Sequence, residues 1–388
     1  MPEIRNRGNM YDFFRNLFRK NRISEETCLE SEKMHSQEQV QNLKRENYLK
    51  AEESFIKKTP FSGTFPLHAY LEVSKCCNLN CIMCPGHHFS KIKISREEGI
   101  MSREIFETLR DFFPYLLRAD LSGDGEPLLN KDLLYFVEQL KRYYVFVSFI
   151  TNGLLLGKKE SKFLLDNDLD QVIFSIDSSK EEHYTALRPG SDFKVVAGNL
   201  SYISEKRVSM NKDLFISVNA VLMKDNEDDL EDLINFVSDA GVNQLIINPL
   251  LWYPDEQYQK FYNEHKSSLT ESADSRERIQ ELFSIAKARC IDLQLRFFST
   301  TLSSGETSRV CAEPRTTIYI TSSGDFKSCC LNEITYGNLR DESAAAIWFG
   351  DGFQELRNQL TFNTSLNKFC KNCINNNRSD NFFNSWKV

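Results

Sequence analysis

Ala69-Tyr-Leu-Glu-Val-Ser74, Lys75-Cys76, then Cys77-Asn-Leu-Asn-Cys81-Ile-Met-Cys84: an apolar run that reads as a strand leads into three cysteines spaced C-x3-C-x2-C. Three thiolates on one loop can hold three irons of a cubane cluster and leave the fourth iron without a protein ligand. An iron with an open position can bind a small molecule and pass it an electron. Zinc sites pair one C-x2-C with a second, or with histidines, so the three-cysteine spacing favours iron. The plain alternatives are an incidental cysteine cluster and a zinc knuckle.

Outward from this loop, residues 67–300 alternate apolar runs with helical stretches. Strands are expected over 69–74, 117–122, 144–151, 171–177, 214–222 and 244–249, with helices at 103–113, 131–142, 158–167, 193–206 and 227–240. Tyr144-Val-Phe-Val-Ser-Phe-Ile150 is almost wholly apolar, as a strand covered on both faces should be. Repeated strand–helix units give an α/β fold with a parallel sheet and right-handed crossovers. Chemistry in such folds gathers where the strands end. Residues 255–298 add two helices and a short apolar run, Ile291 to Phe298.

The strand ends carry the next signals. The second closes in Leu121-Ser-Gly-Asp-Gly-Glu-Pro-Leu-Leu129. There Gly123 and Gly125 let backbone approach a ligand, and Glu126, ahead of Pro127, offers an acceptor to an ammonium group. An ordinary strand-to-helix turn would look the same. The third closes in Thr151-Asn-Gly153, a tight turn or a ligand contact. The fourth closes in Phe174-Ser-Ile-Asp-Ser178, with Arg188 further on. Ser175 and Asp177 could meet ribose hydroxyls, and the Arg188 guanidinium suits a carboxylate; plain structural roles are the alternative.

Together these motifs resemble the signature of the radical S-adenosylmethionine (radical SAM) superfamily. The resemblance implies a partial (β/α)6 TIM-like barrel and a 4Fe–4S cluster on Cys77, Cys81 and Cys84. It implies that the open iron chelates SAM and that reduction yields a 5′-deoxyadenosyl radical. Gly123, Gly125, Glu126 and Pro127 would then meet the amino group of SAM, Ser175 its ribose and Arg188 its carboxylate. A flavodoxin- or ferredoxin-type reductant is implied as partner. Two departures stand out: Asp124 occupies a position that is often glycine-like, and Met83 one that is often aromatic.

A second cysteine group follows. Ile318-Tyr-Ile320 and Asp325-Phe-Lys327 flank Ser-Ser-Gly and read as a hairpin that brings Cys311 and Cys329 to its open end. Cys370-Lys-Asn-Cys373 completes four thiolates, which fit either a 4Fe–4S cluster or zinc. The order C-x17-C…C-x2-C resembles the truncated "twitch" form of the SPASM domain, which implies a second, auxiliary 4Fe–4S cluster on these four cysteines. Cys330 adjoins Cys329; the G-x4-C spacing from Gly324 favours Cys329 as ligand. Cys76 is expected to be a spare thiol, Cys28 and Cys290 inert, and His87 and His88 exposed loop residues.

Three units are expected: a helical extension or linker at 1–66, the radical SAM core at 67–300, and the small cysteine-rich domain at 301–388. Residues 10–22 form a short basic amphipathic stretch that can rest on a membrane or pack on its own domain; the second is favoured. A net charge of −7 gives no general attraction to nucleic acid. No run reaches the ~18–20 apolar residues of a span, and no signal peptide is visible, so a cytoplasmic location is expected. The favoured function is oxidation of a small-molecule substrate through SAM cleavage, aided by the auxiliary cluster. The alternatives are an epimerase, a peptide-modifying enzyme and, outside catalysis, an iron–sulfur electron carrier.

Overall fold

The computed structural model describes residues 36–59, 61, 63–86, 99–250, 256–266, 273–299, 311–330, 332–362, 364, 366 and 370. The basic stretch 10–22, Cys28, His87, His88, the 300/301 boundary and the ligand candidate Cys373 lie outside these residues.

Seven parallel strands lie side by side in chain order: β1 (His68–Leu71), β2 (Arg118–Asp120), β3 (Phe146–Thr151), β4 (Gln171–Ser175), β5 (Phe215–Leu222), β6 (Gln244–Pro249) and β7 (Arg296–Phe298). They form a partial barrel. One face is apolar and covered by helices: Val172, Phe174, Ile216, Val218, Leu245 and Ile247 are all buried there. Strand alternation sends Tyr70, Asp120, Ser148, Ser217 and Asn219 to the other face.

Six strands fall where the sequence puts them, and β7 is a seventh, at the end of the apolar run before Phe298. The expected helix at 103–113 divides into α1 of the crossover, Arg103–Glu107, and a tight 3-10 turn at Arg110–Phe112. Phe112 and Phe113 are both fully buried, and Pro114 behind them bars a regular helix from continuing. An added helix, Glu181–Leu187, follows β4; its polar sequence gives little periodic signal.

The C-terminal hairpin forms as expected. β8 (Thr317–Ile320) and β9 (Asp325–Lys327) pair antiparallel, Tyr319 opposite Lys327, and β10 (Gly337–Asn338) pairs with β9. β8 also pairs in parallel with β1, His68 opposite Thr317 and Leu71 opposite Ile320. The sheet therefore runs unbroken over ten strands, β10-β9-β8-β1-β2-β3-β4-β5-β6-β7. The cysteine-rich region is hydrogen-bonded to the first barrel strand and covers its edge.

A helix at Gln37–Ile56, opened by a Ser36–Gln39 capping box, closes the amino edge of this sheet. Its Lys44 is fully buried and donates to the carbonyls of Leu116 (2.6 Å) and Tyr144 (2.9 Å), just ahead of β2 and β3. Burial pushes the Lys44 ammonium well below its ordinary pKa. Arg315 ties the same helix to the C-terminal region, donating to Ser54 Oγ (2.8 Å), the Thr59 carbonyl (2.7 Å) and Thr361 Oγ1 (2.5 Å). Among the described residues no helix is long and apolar enough to cross a membrane.

Candidate functional site

The cysteine loop leaves the carboxyl end of β1 and is pinned by backbone. Asn80 N–H donates to the Pro189 carbonyl (3.1 Å) and Ile82 N–H to that of Leu187 (3.0 Å), which docks the loop on the segment carrying Arg188. Leu79, Cys81 and Met83 are buried with Leu187, Met223 and Leu250. Met83 thus fills an apolar contact, and its carbonyl accepts from the Tyr258 hydroxyl (3.1 Å). Cys77 is exposed, and Cys76 and Cys84 are half-buried.

The Gly123–Pro127 turn lies against this loop. Gly125 N–H donates to the Ser74 carbonyl (3.1 Å) and Glu126 N–H to that of Cys76 (2.8 Å). A Cβ at 125 would stand 2.2 Å from the Cys76 oxygen, so the approach requires glycine. The buried Glu126 carboxylate accepts from Thr151 Oγ1 (2.8 Å), Asn152 N–H (2.8 Å) and Leu128 N–H (3.1 Å). Burial pushes its carboxyl above the ordinary value, and those donors oppose the rise. Asn152 Nδ2 donates to Asn78 Oδ1 (2.9 Å), joining the third strand end to the cysteine loop. Thr151-Asn-Gly153 is therefore a clamp on Glu126, a role the sequence did not reveal. Gly153, at φ +79°, packs where a Cβ would strike the Phe174 ring.

Docking of the cysteine loop on residues 187–189 brings Arg188 and Cys81 together. Arg188 Nη1 donates to Cys81 Sγ at 3.5 Å, and its Nε donates to Asp177 Oδ2 at 2.6 Å. The other Asp177 oxygen accepts from Val221 N–H (2.9 Å), so this fully buried carboxylate anchors Arg188 and β5 rather than standing open to a ribose. Burial works against the Arg188 charge, but the contact with Asp177 outweighs it and holds the guanidinium above its ordinary pKa. Burial pushes the Cys81 thiol up to about 11, against the pull of Arg188. One helical turn before Arg188, the Tyr184 hydroxyl is buried without a hydrogen-bond partner. Ser175 ends β4, half-buried, in register with Asn219, whose side-chain oxygen accepts from Asn248 Nδ2 (3.2 Å).

Of the second cysteine group, Cys311 and Cys329 lie towards the other end of the sheet. Cys311 precedes the amino end of β8, and Cys329 follows β9, which runs back towards that end. Burial raises the Tyr336 phenol, with Cys370 and Cys329 adding to the rise, and burial likewise raises the Tyr70 and Tyr319 phenols. Among the described residues no three His, Cys, Asp or Glu side chains converge closely enough to hold a metal. The fit to a cluster lies instead in the donor set, the cation against Cys81, and the Gly125 cradle a Cβ would fill.

Residues 71–237 match the family model of the radical SAM superfamily, and residues 311–374 match the SPASM iron–sulfur cluster-binding domain. A Pyrococcus furiosus protein, the tungsten-containing aldehyde ferredoxin oxidoreductase cofactor-modifying protein, is 25% identical over 315 residues, 75% of this chain and 83% of that one. The GTP 3′,8-cyclase of Limosilactobacillus fermentum is 31% identical over 183 residues, 46% of this chain; the match spans 53% of the cyclase, about half its length. The crystal structure of Streptococcus suis SuiB bound to precursor peptide SuiA shares the fold at a TM-score of 0.60 and 16% identity, over 90% of this chain and 77% of that one.

Proposed function

We propose that this chain, which belongs to the radical SAM superfamily and carries a C-terminal SPASM-like iron–sulfur domain, oxidises a small hydroxyl- or amine-bearing substrate. The cofactors that go with these two domains are SAM, its 4Fe–4S cluster and an auxiliary 4Fe–4S cluster. When bound, they supply a hydrogen-abstracting 5′-deoxyadenosyl radical and an acceptor for the electron left on the substrate.

The protein holds and orients. Cys77, Cys81 and Cys84 would ligate the first cluster, and Cys311, Cys329, Cys370 and Cys373 the second. Arg188, fixed by Asp177, sets a permanent cation beside the first site and would hold a carboxylate. Glu126, held by its three donors, fixes the Gly123–Pro127 turn against the cysteine loop, and that turn would meet the amino group of SAM. Ser175 is available to a ribose. The observation that carries this reading is the meeting of Arg188 with Cys81 at the strand ends, next to a turn that only glycine permits.

The names of the Pyrococcus relative and of the cyclase, a cofactor modifier and a nucleotide cyclase, favour a small substrate. A second reading, peptide modification, is supported by the fold shared with peptide-bound SuiB. Iron and labile sulfide after anaerobic reconstitution test the oxidative reading. About eight of each per chain are expected for two 4Fe–4S clusters, while about four would leave the C-terminal cysteines to zinc. Carbon-bound deuterium taken up from solvent into product would favour epimerisation.

A further inference from the structure

One buried carboxylate outside the motifs joins both halves of the site. Glu72 stands at the carboxyl end of β1, and its Oε1 accepts from the backbone N–H (3.1 Å) and hydroxyl (3.0 Å) of Ser322, in the β8–β9 turn. Its Oε2 accepts from the Tyr319 hydroxyl of β8 at 3.4 Å, and its N–H donates to the Ile320 carbonyl (2.9 Å). On its other side, Gly123 of the SAM-binding turn packs so closely that a Cβ there would stand 2.3 Å from Glu72 Cγ. The same turn is hydrogen-bonded to Ser74 and Cys76, a few residues along the strand from Glu72. Gly123 lies against the Glu72 side chain, so a shift of the turn towards β1 would press on Glu72, and Glu72 is bonded to the hairpin turn.

We infer that Glu72 is a positioning residue that couples SAM occupancy at the Gly123–Pro127 turn to the hairpin leading to Cys329. Ordering of the turn by SAM stiffens Glu72, and its bonds to Ser322 and Tyr319 carry that order into β8 and β9. This rests on the assignment of SAM to the Gly123–Pro127 turn.

Hydrogen exchange of the reconstituted full-length protein, with and without SAM, tests it. In the wild type SAM is expected to slow exchange by about threefold or more in both 121–129 and 317–327. In Glu72→Ala, SAM is expected to bind with nearly the same Kd and still to slow 121–129, but to leave 317–327 unchanged. Glu72→Gln, whose amide oxygen still accepts from Ser322, is expected to restore most of the effect. Should Glu72→Ala not fold, Ser322→Ala must weaken the transmitted protection. The coupling is overturned if SAM slows 121–129 but not 317–327 in the wild type, or slows 317–327 equally in Glu72→Ala. If SAM binds and slows neither segment, the assignment of SAM to this turn falls, and the coupling with it.

Discussion

The two edges of the sheet use buried charge for different ends. At the amino edge, charges close upon one another. Asp120 is held by His68 (2.6 Å), Arg118 (2.7 Å) and Ser148, and Lys44 caps two carbonyls. At the carboxyl edge, Arg188 keeps one nitrogen on Asp177 and turns another towards a thiol, and Ser175 is left half-buried. Closed networks stabilise, whereas partly open ones are set to receive a ligand. Substitutions at the two edges should therefore separate folding from function.

The largest effect falls on the carboxyl edge. Cys81→Ser should abolish SAM cleavage and lower iron by about four per chain, with the urea midpoint little changed. A midpoint shift as large as the functional loss would break the comparison.

Next comes the amino edge. Asp120→Ala strands Arg118 and His68 and should cost about 3–5 kcal/mol in urea unfolding, while SAM affinity of the folded protein holds. The sign of the pH effect follows from the pairing. Burial opposes the Asp120 charge, but Arg118 and His68 outweigh it and hold the carboxyl well below its ordinary range. Its contribution is complete above the unfolded carboxylate value, ~4, and is lost as pH falls below that. Asp120→Asn should therefore flatten the acid limb of the stability curve relative to wild type.

Smaller still, Ser175→Ala should weaken SAM binding by about fivefold, about one hydrogen bond, and change stability by less than about 0.5 kcal/mol. The finest distinction is between two neighbours: Cys329→Ser should remove about four irons per chain and Cys330→Ser none. The reverse result would make Cys330 the ligand.

The parallel order of β1 to β6 was legible because long apolar runs such as the one ending at Ile150 have few other ways to fold. The hairpin was legible from Ser322-Ser-Gly324. What sequence could not carry was non-local. The pairing of β8 with β1 joins residues far apart in the chain, and β7 has only three residues. Thr151 and Asn152 look like a turn until their hydrogen bonds to Glu126 are seen. Asp177, expected at a ribose, has both oxygens engaged inside the protein, one by a main-chain N–H of the next strand that no side-chain pattern announces. Glu72 lies in an apolar strand, and its partner Ser322 is distant in sequence.

The most direct test of the account is formation of 5′-deoxyadenosine from SAM by the anaerobically reconstituted, dithionite-reduced protein. Wild type should release 5′-deoxyadenosine and methionine, and Cys81→Ser neither. Full iron loading and SAM binding without 5′-deoxyadenosine in the wild type would contradict it.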